Sequence, residues 1–269
     1  MLARGLGTRL RSADSGAVLT AAQARAADAG VKALMPIAGH PFLDYVLHSL
    51  AEAGVTHAAL VVAPGPSAVS EHYRLHPPSR LDLAFVVQPE ALGTANAVLA
   101  AEAWGGGDPF LAMNADNLYP AAVLRDLASL DEPGLAAFDA DDLVRSSNIP
   151  EDRIRAFALV DVDEAGYLSG IVEKPAAADS ERQAAPGSSR VNGAVSMNLW
   201  RFDARIFDAC RDVPRSARGE YELPEAVALA VRRGTRFRAV PSRGPVLDLS
   251  RRGDAADLER RLAGAVPRP

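Results

Sequence analysis

The chain has 269 residues, 48% of them hydrophobic and 23% charged, with a formal net charge of −5. This is enough apolar material for a packed core, excludes global disorder, and disfavours a surface that coats nucleic acid. A single cysteine, Cys210, leaves no internal disulfide framework, and the five histidines (His40, His48, His57, His72 and His76) fall in no zinc-ligand pattern.

At the start, the arginines of MLARGLGTRLR stand where a signal peptide needs an apolar stretch, and no run nears the ~18 apolar residues of a membrane span. A cytoplasmic protein without a membrane partner is expected. Leu2-Ala3-Arg4-Gly5-Leu6-Gly7-Thr8-Arg9-Leu10 runs from a short apolar entry into two glycines, a threonine and an arginine. Glycines let the backbone approach a ligand, successive N–H groups form an anion-binding concavity, and a guanidinium matches phosphate oxygens. The pattern is neither a Walker loop nor a dinucleotide G-x-G-x-x-G. Residues 12–30 are Ala-rich and helix-prone, with Ser or Asp as candidate caps and Gly30 as a stop.

Pro41 to Ala53 places Leu43, Val46, Leu47 and Leu50 on one helical face, and Gly54 ends it. Strands are predicted at 60–63, 83–87, 110–115 and 135–140, with a helix over 94–103. Residues 157–162 and 167–175, joined by a turn at 163–166, read as a hairpin. The polar stretch 176–190 reads as a surface loop. A strand over 195–203, helices near 204–212 and 221–232, and two closing strands complete the chain. Strands alternating with helices imply an α/β, Rossmann-like doubly wound, mostly parallel mixed sheet with helices on both faces. One domain over 1–269 is expected, and such sheets bind ligands at the carboxyl ends of their strands.

Several segments, in order, resemble the sugar-1-phosphate nucleotidyltransferase family. The first loop is similar to that family's L-A-x-G-x-G-T-R-L, and Lys32 to Pro36 with Gly39 to Leu47 resembles its K-x-x-x-P…G-x-P segment. Gln88 to Ala97 is similar to its base-recognition stretch, and Asn114-Ala-Asp116-Asn117-Leu to its metal turn. Val172-Glu-Lys174-Pro175, Gly219 to Leu223, and Val246-Leu-Asp248 match its V-E-K-P, G-E-x-E-L and W-x-D.

The resemblance implies transfer of a nucleoside monophosphate from a triphosphate, UTP or dTTP favoured, to a sugar 1-phosphate, releasing pyrophosphate. It implies nucleotide contacts from Ala3, Gly5, Leu6, Gly7, Thr8, Gln88, Gly93 and Thr94, within a nucleotide-binding half (1–140), and Arg4, where the family has a small residue, adds a charge for the triphosphate or a phosphorylated effector. Catalysis would use Arg9, Lys32, Asp116, Lys174 and Asp248. A second half (141–269) would bind the sugar phosphate, with Asn117, Glu173, Lys174 and Asn198 as the residues that hold it. Asp116 and Asp248 would hold Mg²⁺ as hard oxygen ligands. Nucleotide-sugar biosynthesis is the implied role, and a homo-oligomer is compatible with it.

Each residue also has a plain structural reading: Arg9 and Lys32 as solvated cations, Asp116 as a turn cap, Gln88 as a strand end. A GTP- or ATP-using relative, or a non-catalytic sugar-nucleotide sensor on the same fold, are the alternatives. The chain departs from the family in Arg4, Ala115 and Ala158, and in a longer, basic loop after Asp248. Only Met1 and Leu2 precede the loop, so either the first strand is clipped or the natural start lies upstream. The extra residues between Arg9 and Lys32 suggest a flap near the nucleotide.

Overall fold

The computed structural model describes residues 1–5, 7–12, 14, 16–172, 188–189 and 193–269. The turn of helix α1 (Thr8–Arg11) starts at Gly7, whose φ of 61° lies in the left-handed region. The Ala-rich stretch forms α2 (Ala21–Ala29), opened by a Thr20–Gln23 capping box and closed by left-handed Gly30. Threonine thus takes the cap expected of Ser or Asp. A 3₁₀ turn (Lys32–Leu34) and the tight pair β1 (Pro36–Ile37) and β2 (His40–Pro41) lead to α3 (Phe42–Glu52). Next come β3 (His57–Val62), α4 (Ala68–Leu75) and β4 (Asp82–Val87). The helix expected over 94–103 breaks at Ala101 into α5 (Thr94–Ala100) and α6 (Glu102–Gly105).

The chain continues through β5 (Phe110–Ala112), β6 (Asn117–Leu118), α7 (Ala121–Ala128) and β7 (Gly134–Asp139). Helices α8 (Ala140–Ser146) and α9 (Glu151–Arg155) precede the expected hairpin of β8 (Ala158–Asp163) and β9 (Leu168–Val172). Of the expected surface loop, only β10 (Ser188–Ser189) lies among the described residues. The long β11 (Ala194–Phe202), α10 (Arg205–Asp212), α11 (Leu223–Arg232), β12 (Arg238–Ser242), β13 (Leu247–Asp248) and α12 (Asp254–Arg261) follow.

β3 and β4 are parallel, and Leu2 bridges in parallel to Val61 on one side and Asn114 on the other. β7 and β12 are also parallel, while β11 runs antiparallel between β5 and β7. The sheet is mixed, with one long reversed strand. Side chains alternate across it: Leu135 and Ala137 pack into a cluster with Trp200, Phe202, Phe207 and Val227, while Ala136 and Phe138 join Leu43, Leu47, Leu124 and Leu258. Both faces of the sheet are therefore covered by helices, as in the expected architecture.

β11 changes neighbour along one edge. Val195 and Ser196 pair with β8, whereas Trp200 to Phe202 pair with β5. Between them the register slips, and Asn198 adopts a left-handed φ of 56°. Asparagine is among the few residues with side chains that tolerate that conformation. The divergence parts β5 from β8 and leaves a cleft where the strands separate.

Within the stretch expected as a flap, α2 is packed against the body of the protein. Ala27 is fully buried, and the Gln23 amide donates to Glu259 of α12 at 2.8 Å and to the Pro36 carbonyl at 3.0 Å. Arg252, from the basic loop after Asp248, ties both departures together. Its Nε donates to the Leu10 and Ser12 carbonyls at 2.9 and 3.1 Å, and its Nη2 pairs with Asp28 at 2.5 Å. The longer insertion and the longer loop are one brace behind the first turn of α1. Losing that arginine leaves helix-end carbonyls without a donor, so Arg252→Ala is expected to cost ~2 kcal/mol, a fall of about 4–6 °C in thermal midpoint. Differential scanning calorimetry of the variant reads it directly.

Candidate active site

A cleft of about 370 Å³ opens at the carboxyl ends of the strands. Gly5, Gly7, Thr8, Arg9 and Lys32 line one side, while Asn114, Asp116, Asn117, Asn198 and Asp248 complete it with Arg153, Phe157 and Ser250. A larger hollow of about 590 Å³ lies at the other end of the sheet, near Met1, His57, Trp104 and Arg201. That hollow holds neither the glycine loop nor the paired aspartates, so chemistry points to the smaller cleft.

Gly7 is forced by packing as well as by its φ. A Cβ there would stand 2.6 Å from the Gly30 carbonyl oxygen and 2.9 Å from its Cα. The loop therefore rests on the end of α2, and its N–H groups are held by backbone packing. Arg9 is exposed at the rim and makes no hydrogen bond or ion pair among the described residues, so its guanidinium is available to an anion.

The two aspartates are joined by a short ladder. β13 pairs antiparallel with β6, setting Asp248 opposite Asn117, and the Leu249 N–H donates to the Asp116 carbonyl at 3.0 Å. Lys32 Nζ binds Asp116 Oδ2 at 2.8 Å. Asp248 Oδ1 accepts from Asn117 Nδ2 at 2.9 Å and from Ser250 Oγ at 3.0 Å, while Oδ2 accepts from Arg153 Nη2 at 2.8 Å. Asn148 grips the Asp248 backbone from both sides, donating to its carbonyl and accepting from its N–H, each at 2.8 Å. Burial, then the neighbouring Asp116 carboxylate, push the Asp248 carboxyl above the usual carboxylate range, and the Arg153 guanidinium pulls it back.

The stretch expected to read the base sits beside the loop. Gln88 is buried, and its Nε2 donates to the Gly93 carbonyl at 3.1 Å and to Asn96 Oδ1 at 2.8 Å. A carbonyl only accepts, which fixes the amide nitrogen on that side and leaves Oε1 as the acceptor for a ligand. Both Gln88 amide hydrogens are thereby committed within the protein. Gly93 has a φ of 110°, and a Cβ there would meet the Tyr221 carbonyl oxygen at 2.5 Å. The Gly219–Leu223 segment docks here: Thr94 Oγ1 accepts from the Leu223 N–H at 2.8 Å, so that hydroxyl supports the turn. Arg4 Nη2 donates to the Pro89 carbonyl at 3.3 Å, while its Nε and Nη1 are buried with no partner among the described residues. Ala3 donates its N–H to Val61 and extends the sheet toward the loop.

A model of the nucleotidyl transferase family matches residues 2–248. The chain belongs to that family. It is 28% identical to the UTP–glucose-1-phosphate uridylyltransferase AglF of Haloferax volcanii, over 97% of this chain and 95% of that one. It is 27% identical to a glucose-1-phosphate thymidylyltransferase of Streptomyces antibioticus, over 99% and 68%. Against the low-salt glycan biosynthesis nucleotidyltransferase Agl11 of Haloferax volcanii the identity is 26% over 74% of this chain, which spans 50% of that relative's length. Among solved structures, a UTP-bound UGPase from Acinetobacter baumannii superposes with a TM-score of 0.70 at 18% identity, over 99% of this chain and 93% of that one. At that identity the superposition speaks for the fold.

In this nucleotidyltransferase the cleft gathers most of the residues singled out from sequence. Leu6, Glu173 and Lys174 lie outside the described residues. Arg153 and Asn148, both bound to Asp248, escaped the sequence reading because no motif spacing ties them to a residue on a late strand. The contact at Gly7 sets a clear expectation. Gly7→Ala would drive a Cβ into the Gly30 backbone at a left-handed position, costing ~2–4 kcal/mol in urea unfolding. Gly5→Ala, with none of the described residues within 4 Å of an added Cβ, is expected to cost under about 1 kcal/mol.

Proposed function

We propose that the protein transfers a nucleoside monophosphate from a nucleoside triphosphate to a sugar 1-phosphate, releasing pyrophosphate, with UTP or dTTP as the favoured donor. The observation that carries this is the convergence of the glycine loop, Arg9, Lys32, Asp116 and Asp248 on one cleft. Family membership and the substrates named for the relatives support it.

In this reading a phosphate oxygen of the sugar phosphate attacks the α-phosphorus, the bond from that phosphorus to the bridging oxygen breaks, and pyrophosphate leaves with the electron pair. N–H groups of Gly5, Gly7 and Thr8 cradle the triphosphate, Arg9 neutralises the departing pyrophosphate, and Lys32 moves from Asp116 to the α-phosphate. No general base is required, because the attacking phosphate is ionised near neutral pH. Asn117, Asn198, Glu173 and Lys174 serve the sugar phosphate.

The donor set suits a hard divalent ion. Asp116 and Asp248 supply carboxylate oxygens, each already paired with a cation, as expected where a positive charge belongs. Mg²⁺ held by the two would neutralise the polyphosphate and orient it. Gln88 Oε1 suits the imide N–H of uracil or thymine, the basis of the pyrimidine preference. Arg4, with unpaired donors beside that stretch, is assigned to the nucleotide as well.

Pyrophosphate release, measured over panels of triphosphates and sugar 1-phosphates with Mg²⁺, tests the reading. Asp116→Asn and Asp248→Asn are each expected to lower kcat by about 10²-fold or more, and Lys174→Ala to raise chiefly the KM for the sugar phosphate. Full activity in both aspartate variants would remove the metal assignment. Tight nucleotide-sugar binding with no release for any pair would turn the reading to a sensor.

A further inference from the structure

Arg153 stands where the transfer reading requires a cation of another kind. Its Nη2 lies 2.8 Å from Asp248 Oδ2, and the two side chains are only 12% and 7% exposed. The donors on Oδ1, Asn117 and Ser250, are neutral. Arg153 brings a full charge, and a guanidinium and a divalent ion repel while competing for one carboxylate. Once such an ion takes Asp248, a buried guanidinium without an anion is strongly unfavourable. It needs a new partner within reach.

The cleft supplies the direction. Arg153, on α9, lines it together with Phe157 and with Ser196 and Asn198 of β11, in the same cleft as the glycine loop. Arg155, on the same short helix, is tied to Glu151 and does not compete for the position. The planar fork of an arginine matches the oxygens of a phosphate monoester.

We propose that Arg153 exchanges partners during turnover: it neutralises Asp248 in the substrate-free protein and, when a divalent ion binds there, grips the phosphate of the acceptor. The proposal rests on the nucleotidyl-transfer reading of the cleft. Arg153 thereby couples metal binding to acceptor binding, and the acceptor phosphate finds its full set of cations only in the metal-loaded protein.

The signature is a pair of opposite effects from one substitution. Mn²⁺ binding to the substrate-free protein is read by the paramagnetic resonance of the free ion. Inorganic phosphate binding at saturating Mn²⁺ is read by calorimetry, and KM values come from the best substrate pair. For Arg153→Gln, Mn²⁺ is expected to bind about 10-fold tighter, while phosphate affinity falls about 10-fold and acceptor KM rises by at least that factor. The triphosphate KM should stay within about twofold. Weaker or unchanged Mn²⁺ binding overturns the exchange, as does an equal rise in both KM values, which marks a merely structural arginine. Should the glutamine variant fail to fold, Arg153→Lys carries the test: it keeps the charge and loses the fork, so Mn²⁺ affinity holds within about twofold while acceptor KM rises about 5-fold or more. Unchanged acceptor KM in that variant counts against the proposal. If the wild type binds Mn²⁺ yet releases no pyrophosphate with any pair, the transfer reading fails, and the Mn²⁺ and phosphate titrations still judge Arg153.

Discussion

Two carboxylates facing one cleft repel each other, and the surroundings of Asp116 and Asp248 answer that repulsion. Each has a cation at 2.8 Å, Lys32 for the first and Arg153 for the second. Neutral donors from Asn117 and Ser250 hold Asp248, and Asn148 pins its backbone. In a partly desolvated site such a pair is unfavourable without positive charge, by an amount on the order of several kcal/mol. The arrangement is a standing demand for cations, and a divalent ion accompanying a polyphosphate would meet the same demand from the other side.

The scaffold keeps these charges in place by unglamorous means. A two-residue ladder between β6 and β13 sets the aspartates together, and the slip in β11 at Asn198 opens the space in front of them. The glycine loop rests on Gly30, so its position depends on α2, which Gln23 and Arg252 fasten to α12 and to the basic loop. Chain departures that looked unrelated in sequence are two halves of one support. Each rigid element lies behind the cleft, and the charged side chains stand in front.

Much of this was legible from residue order. Apolar periodicity located the helix that became α3 and the strands that became β3, β4 and β7, because their burial is local and regular. The glycines and the arginine of the first loop stood out as an anion-binding pattern, while Lys32, Asp116 and Asp248 were picked out by the resemblance of their segments to the family's motifs. Three features stayed hidden for physical reasons. Arg153 reaches Asp248 through a tertiary contact with no local pattern. The commitment of both Gln88 hydrogens depends on Asn96 and the Gly93 carbonyl facing it. The role of residues 21–29 rests in part on Glu259 and Arg252, more than two hundred positions away, which no window of sequence reports.

The central claim is that the two aspartates share one divalent ion with the polyphosphate. Crystals grown with Mn²⁺ and a non-hydrolysable triphosphate, with anomalous scattering recorded at the manganese edge, test it most directly. The account predicts a manganese peak bonded to both Asp116 and Asp248 and to phosphate oxygens, with Lys32 and Arg153 withdrawn from the carboxylates. A peak elsewhere in the molecule, with both ion pairs intact beside a bound triphosphate, would contradict it.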